Sequence, residues 1–318
     1  MLQRNTVWLL GILLLTWWLT AVNFDYIREP GPGNRYGNTT RTSPAAEVYP
    51  QRIVSLSPGH TEILFALGAG DRVVGVTSYS DYPEEAKTKP SVGGYHAPDV
   101  ETIVALRPDL VVAMGDIQEP YVDILRRAGI RVITLEPTTL EEVLAAIDSM
   151  SEAIGEKERG RELNRRLRGQ LEDVQSRVSS VPSRRVFLEV WDAPLLTVGN
   201  RSFIHDVVRM AGGVNVAGGR PTDYTPCDVE TLYAYDPDVY VVLNHDGSDA
   251  GALINRPDLA GLAAVKNRRV YSIPDVLSRA SPRCFDGLVR LARILHPAAM
   301  EQQETQNANN VQVIDIHR

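Results

Sequence analysis

The stretch Glu101–Val112, ETIVALRPDLVV, recurs as Glu230–Val241, ETLYAYDPDVYV, beginning 129 residues later (101 to 230). Glu-Thr opens both copies, Pro-Asp divides both, and each ends in an apolar run. Pro108 and Pro237 cannot continue a helix, because proline has no amide hydrogen and its ring clashes with the preceding turn. The runs Leu110-Val111-Val112-Ala113 and Val239-Tyr240-Val241-Val242-Leu243 do not alternate apolar with polar residues, which predicts strands buried on both faces of a parallel sheet. Each copy reads as a short helix feeding a strand. The repetition predicts two related α/β lobes, each with its own mostly parallel sheet, in place of one continuous domain.

A chain of 318 residues exceeds what a single core usually serves, and a hydrophobic fraction of 43% supports compact folding. With 33 basic and 40 acidic residues the net charge is −7, and no Lys/Arg stripe alternates with aromatics. Nucleic-acid binding is not expected. Near the N-terminus, Arg4 precedes twenty uncharged residues, Asn5–Phe24. As a helix these would span about 30 Å, enough to cross a bilayer. A cleaved signal would want small residues at −3 and −1, and cleavage after Ala21 puts Leu19 at −3. The reading preferred is an uncleaved anchor in residues 1–29, with everything after it exported. Residues 30–48, rich in Gly, Pro, Asn and Thr, read as a flexible linker reaching on the order of 60 Å. Asn38 and Asn200 match the glycosylation acceptor pattern.

From Thr139 to Val178 apolar residues keep helical spacing: Leu140, Val143, Leu144, Ile147, Met150 and Ile154, then Leu163, Leu167, Leu171, Val174 and Val178. This predicts one long helix, 139–180, bridging an N-terminal lobe, 49–138, and a C-terminal lobe, 181–298, with a polar tail at 299–318. Gly155 and Gly160 are the places where it could break or bend.

In the first lobe a strand at Ile53–Leu56 leads through Ser57-Pro58-Gly59-His60 into a helix whose first turn carries Thr61-Glu62. Such a strand-loop-helix entry turns backbone amides toward a cleft edge. It lacks the Lys and Ser/Thr of a phosphate loop, and no GxGxxG is present, so nucleotide binding is disfavoured. His60, His96, His205 and His245 have no pair at metal-ligand helix spacing. Ser57 or Ser281 could serve a hydrolase, yet Gly-x-Ser-x-Gly is absent. The two cysteines, Cys227 and Cys284, are open to a disulfide, a metal site or two unrelated thiols.

Ser57-Pro58-Gly59-His60-Thr61-Glu62, Ser78-Tyr79-Ser80-Asp81-Tyr82-Pro83, Glu101 with Pro108-Asp109, and Ser278–Arg283 (SRASPR) together resemble the vitamin B12-binding proteins of ABC importers. The resemblance covers about residues 51–296. It implies the helix-backbone type of substrate-binding protein: two Rossmann-like α/β lobes bridged by one long helix, a ligand cleft between them, and no catalysis. The expected cargo is cobalamin or a related corrinoid, with an iron siderophore or haem as the alternative. Carried over by position, the ligand contacts fall at Gly59, Tyr79, Tyr95, Tyr224, Asp275 and Arg279, and His60 at the strand-loop-helix entry is a further candidate contact read from the residues themselves. Met114 and Val190 stand where aromatics are usual, and Trp191 is expected to substitute beside Val190. The resemblance further implies that Glu101 and Glu230 dock on the two permease subunits, that the protein acts as a monomer with the permease and its ATPase subunits, that it needs no cofactor, and that Cys227 and Cys284 form a disulfide near the cleft mouth.

Overall fold

The computed structural model describes residues 48–244 and 253–301, so the expected anchor, most of the linker, Asn38, His245 and nearly all of the polar tail lie outside the described residues. The first lobe runs β1 (Ile53–Ser55), α1 (Pro58–Ala66), β2 (Val73–Val76), α2 (Val100–Ala105), β3 (Leu110–Ala113), α3 (Glu119–Arg127) and β4 (Val132–Thr134). Its strands are parallel in the order β2-β1-β3-β4. Every residue of β3 is buried. The period-2 geometry of a strand explains why: Leu110 and Val112 enter a core with α1, whereas Val111 and Ala113 enter another with Ile103 of α2 and Leu125 of α3.

Next come α4 (Leu140–Ile154) and α5 (Lys157–Val178). The single bridging helix expected over 139–180 is therefore two. Gly155 takes φ +80°, the left-handed conformation that ends helices, and a Cβ there would come within 2.5 Å of the Tyr49 ring. The chain then reverses: Asn164 donates to the Leu144 carbonyl and Arg168 pairs with Glu141. Hydrophobic spacing missed the reversal because both helices bury the same kind of stripe in one core, Leu144 and Ile147 opposite Leu163 and Leu167. The chain crosses from one lobe to the other along α5, 22 residues and about 33 Å long. At its start Arg159 donates to the Leu67 carbonyl and the preceding Glu156 pairs with Arg72; near its end Arg177 donates to the Met300 carbonyl.

The second lobe contains β5 (Arg184–Glu189), β6 (Trp191–Asp192), β7 (Leu195–Val198), α6 (Phe203–Met210), β8 (Gly213–Asn215), β9 (Tyr224–Pro226), α7 (Val229–Tyr235), β10 (Val239–Asn244), β11 (Val270–Pro274) and α8 (Cys284–Leu295). A parallel sheet has the order β11-β10-β5-β8, and a small antiparallel sheet has the order β6-β7-β9. Two α/β lobes with parallel sheets are thus present. Among the described residues no helix is long and apolar enough to cross a membrane.

The repeated phrase builds the same device twice. Asp99 and Asp228 cap α2 and α7 by accepting from the amides of Thr102 and Thr231. After each helix one non-glycine residue has positive φ, Arg107 at 48° and Asp236 at 37°. The aspartate after each proline then holds the start of the neighbouring strand: Asp109 accepts from the amides of Gln51 and Arg52, and Asp238 from that of Arg185. In return Arg52 and Arg185 donate to the last carbonyls of the two helices, Leu106 and Tyr235. Removing either carboxylate leaves backbone donors short of an acceptor at the surface. Asp109→Ala and Asp238→Ala are each expected to lower stability by about 1 kcal/mol, additively because they lie in separate lobes, as read from urea midpoints of the single and double variants.

Candidate ligand-binding site

The loops at the C-terminal ends of the parallel strands face one another across the two lobes, the usual crevice of open α/β sheets. They enclose a cavity of about 460 Å³. The first lobe contributes Ser57–His60 after β1, Tyr79 after β2, Tyr95 and His96 from the segment before α2, and Met114 after β3. From the second lobe come Val190 after β5, Phe203 at the start of α6, Tyr224 in β9, and Ser278–Ala280 after β11.

Polar side chains hold this wall from behind. Gln118 is fully buried; its amide nitrogen donates to the carbonyls of Leu56 and Tyr95, both at 2.8 Å, and its oxygen accepts from the Met114 amide at 2.9 Å. One side chain thereby ties three lining segments together. A hydroxyl cluster does the same for the Tyr79 loop: Thr61 meets Ser55 at 2.9 Å and Ser80 at 3.1 Å, and Ser80 meets Thr77 at 3.2 Å. Gln118 lies outside the motifs and no sequence signal marked it.

Beside the cavity the lobes are joined by buried charge. Glu62 of α1, 3% exposed, accepts from the Ser281 hydroxyl at 2.7 Å and from Arg283 at 2.9 and 2.6 Å, with Arg279 at 3.8 Å. Arg283 also lies over the Tyr82 ring at 3.8 Å. Arg279 pairs with Asp81 of the first lobe and, at 3.1 Å, with Asp275 of its own. The hydrogen bond from Arg279 holds the Asp81 carboxyl below its ordinary range. The buried charge of Glu62 is tolerable because it is paired and hydrogen-bonded, whereas the Asp81 side chain is 54% exposed. Gly59 completes the junction, since a Cβ there would lie 2.7 Å from the Ala280 carbonyl oxygen. Glu62 and Asp81 were in the motifs, but their inter-lobe role was not foreseen. A larger cavity of about 710 Å³, bordered by Phe65, Arg166 and Asp286, lies on another side of this junction, away from the aromatic wall.

Of the residues expected at the ligand, Gly59, Tyr79, Tyr95, Tyr224 and Arg279 line the cavity. His60 also lies in the wall, but as a sealed ring. It is 1% exposed, with both ring nitrogens buried and in no well-formed hydrogen bond; burial lowers its pKa to about 4, and the Leu135 backbone acts in the opposite direction. His60 is thus a lining residue whose ring is sealed from solvent. Asp275 does not line the cavity and pairs with Arg279 at 3.1 Å. Trp191 stands outside it, 53% exposed in β6, and Val190 takes the lining position. Glu101 and Glu230 are exposed in the first turns of α2 and α7, away from the cavity.

The expected disulfide is absent. Cys227 and Cys284 are free, buried thiols in separate cores, the first among Phe187, Leu232 and Tyr240, the second among Leu277, Phe285 and Leu288. Burial pushes the Cys227 thiol up to about 11 and the Cys284 thiol higher still. Among the described residues no group of three or more His, Cys, Asp or Glu is placed to hold a metal ion.

Comparison with known proteins accords with this geometry. The family described as periplasmic binding protein matches residues 53–277. An uncharacterized ABC transporter substrate-binding lipoprotein of Bacillus subtilis (strain 168) is 32% identical over 262 residues, covering 80% of this chain and 82% of the relative. The crystal structure of the periplasmic vitamin B12-binding protein of Vibrio cholerae is similar with a TM-score of 0.70 and 28% identity, covering 80% of this chain and 99% of that one. A periplasmic heme-binding protein from Roseiflexus sp. RS-1 reaches the same TM-score, 0.70, also at 28% identity, covering 78% and 99%.

Two outcomes are expected from the inter-lobe junction. Glu62→Ala leaves Ser281 and two guanidinium groups facing a void, and should lower the unfolding free energy by about 3–5 kcal/mol in urea titrations, against a smaller loss for Glu62→Gln, which keeps an oxygen acceptor. Asp81 adds pH dependence. Its folded-state pKa is depressed, so its contribution is complete above the unfolded value of about 3.9 and is lost as pH falls through the lower folded value. Asp81→Asn should lose less stability than wild type between about pH 5 and pH 2, measured by thermal unfolding across that range.

Proposed function

Since the chain belongs to the periplasmic binding protein family, of transport components that are not enzymes, we propose that it captures cobalamin or a closely related corrinoid and hands it to a permease. As the substrate-binding protein of an ABC importer it works outside the cytoplasm with a permease and its ATPase subunits. The corrinoid is cargo, and no further cofactor is assigned. In this reading residues 1–29 anchor a monomer to the outer face of the membrane.

The observation that carries the choice of cargo is the charge around an aromatic slot. Tyr79, Tyr95 and Tyr224 offer flat apolar faces, which suit a macrocycle. Arg279 is the one Lys or Arg lining the cavity among the described residues, and Asp81 and Asp275 already occupy it. Close to Tyr95 the Glu136 carboxyl is raised by burial, then by repulsion from Asp116 and from Asp223 of the opposite lobe. A macrocycle ringed by neutral amides meets both kinds of group with hydrogen bonds. Haem brings two propionates, and ferric siderophores are often anionic, into a rim with no uncommitted lining cation. The likeness to a heme-binding protein keeps haem as the second reading.

Calorimetric titration with cyanocobalamin, haemin and a ferric siderophore tests the cargo: cyanocobalamin alone should bind, in the micromolar range or tighter, and binding of haemin or siderophore without cyanocobalamin overturns the assignment. For docking, Glu101 and Glu230 are assigned to the two permease subunits, because the duplicated lobes can present equivalent charges to a two-fold partner. Glu101→Lys/Glu230→Lys should leave cyanocobalamin affinity unchanged and abolish stimulation of the permease's ATP hydrolysis. Undiminished stimulation would remove both residues from the docking surface.

A further inference from the structure

The repeated phrase duplicates a surface as well as a fold. From Glu101 to Pro108 and from Glu230 to Pro237 the first, fourth, fifth and seventh positions are exposed, and the third and eighth are buried. Ile103 and Leu232, at the third position, anchor α2 and α7 in their cores, so both helices turn the same side outward. Residues three apart are neighbours on a helix. Each exposed glutamate therefore has the fourth residue beside it, Val104 in the first lobe and Tyr233 in the second.

Both fourth residues are exposed, Val104 at 43% and Tyr233 at 39%. One exposed apolar side chain needs no explanation. Two at matching positions of a duplicated surface, each beside a glutamate, do need one. At the seventh position the lobes disagree, with Arg107 in the first and Asp236 in the second. A partner with two-fold symmetry offers the same chemistry to both lobes, so it can use only what they share. The shared features are a carboxylate, an apolar side chain next to it, and the small Ala105 or Ala234 at the fifth position.

Tyr233 is also held still. Its hydroxyl donates to the Asp258 carbonyl and accepts from the Gly261 amide, both at 3.0 Å. The backbone approaches so closely that a Cβ on Gly261 would lie 2.6 Å from that hydroxyl. The ring is thus fixed at its tip while the residue stays open to solvent. Fixing an aromatic before association removes an ordering cost from binding, and tyrosine is among the residues that most often carry interface energy.

We propose that Val104 and Tyr233 are the apolar half of the docking surface, each seated in a recess of one permease subunit beside the cation that meets the neighbouring glutamate. The second lobe contributes more, because its residue is the preordered tyrosine. The proposal rests on the importer reading above and deepens it: the glutamates steer encounter and set register, and the apolar pair slows dissociation.

The test measures binding of the full chain to its permease–ATPase complex, both in detergent, by biolayer interferometry. Wild type is compared with Tyr233→Ala, Tyr233→Phe, Val104→Asn and Glu101→Lys/Glu230→Lys. Tyr233→Ala should weaken binding by about thirty-fold, Val104→Asn by about five-fold, and Tyr233→Phe, which keeps the ring, by no more than about three-fold, each through faster dissociation. Wild-type affinity in Tyr233→Ala overturns the proposal. So does a loss in Tyr233→Phe as large as that in Tyr233→Ala, which would assign the effect to the Asp258–Gly261 backbone. A loss in Val104→Asn that equals or exceeds that in Tyr233→Ala overturns the unequal division. Thermal unfolding checks that each variant is folded at the assay temperature; if Tyr233→Ala is not, Val104→Asn decides, and its wild-type affinity overturns the proposal. A glutamate double variant that binds like wild type, or a wild type that does not bind, refutes the docking reading itself, a result distinct from the others.

Discussion

Glu62 is the group on which the arrangement of this molecule depends. It is a carboxylate from the first lobe, withdrawn from water, whose hydrogen bonds come from Ser281 and Arg283 of the second. A charge in that position cannot be left half satisfied, because an unpaired buried carboxylate is far more unfavourable than an exposed one. The lobes are therefore drawn to the separation at which these bonds close. Gly59 sets the lower limit of that separation from the same helix, by steric contact with the Ala280 carbonyl. Attraction at Glu62 and contact at Gly59 are one turn apart on α1, and together they define the width of the neighbouring slot.

Much of this organisation can be read in the sequence, for physical reasons. The helix-Pro-Asp-strand phrase is local: proline stops the helix, aspartate ties down the next strand, and unbroken apolar runs mark strands covered on both sides. Two copies sufficed to predict two lobes. The reversal at Gly155 was harder to read, because a helix that folds back on itself keeps the same apolar period as one that runs on; only the left-handed glycine and its contact with Tyr49 separate the two cases.

The site divides along a similar line. Tyr79, Tyr95, Tyr224 and Arg279 were placed by motif and do line the cavity. What motif could not supply was orientation and partnership. His60 is in the wall but sealed, and Asp275 lies off the lining, paired with Arg279. The cysteines follow their motifs closely in sequence yet fall into different cores, since proximity of two segments to one cleft says nothing about the direction of their side chains. Partners remote in sequence leave no local pattern: the Glu62–Ser281 bond spans 219 residues and the Gln118–Leu56 bond 62.

Gln118 gives the wall an evolutionary property. It grips three lining segments by their main chain, at Leu56, Tyr95 and Met114, and asks nothing of the side chains there. Backbone position and side-chain identity are thus uncoupled along this part of the slot. Substitutions at Tyr95 or Met114 can alter the surface offered to a ligand while the backbone scaffold behind it holds still.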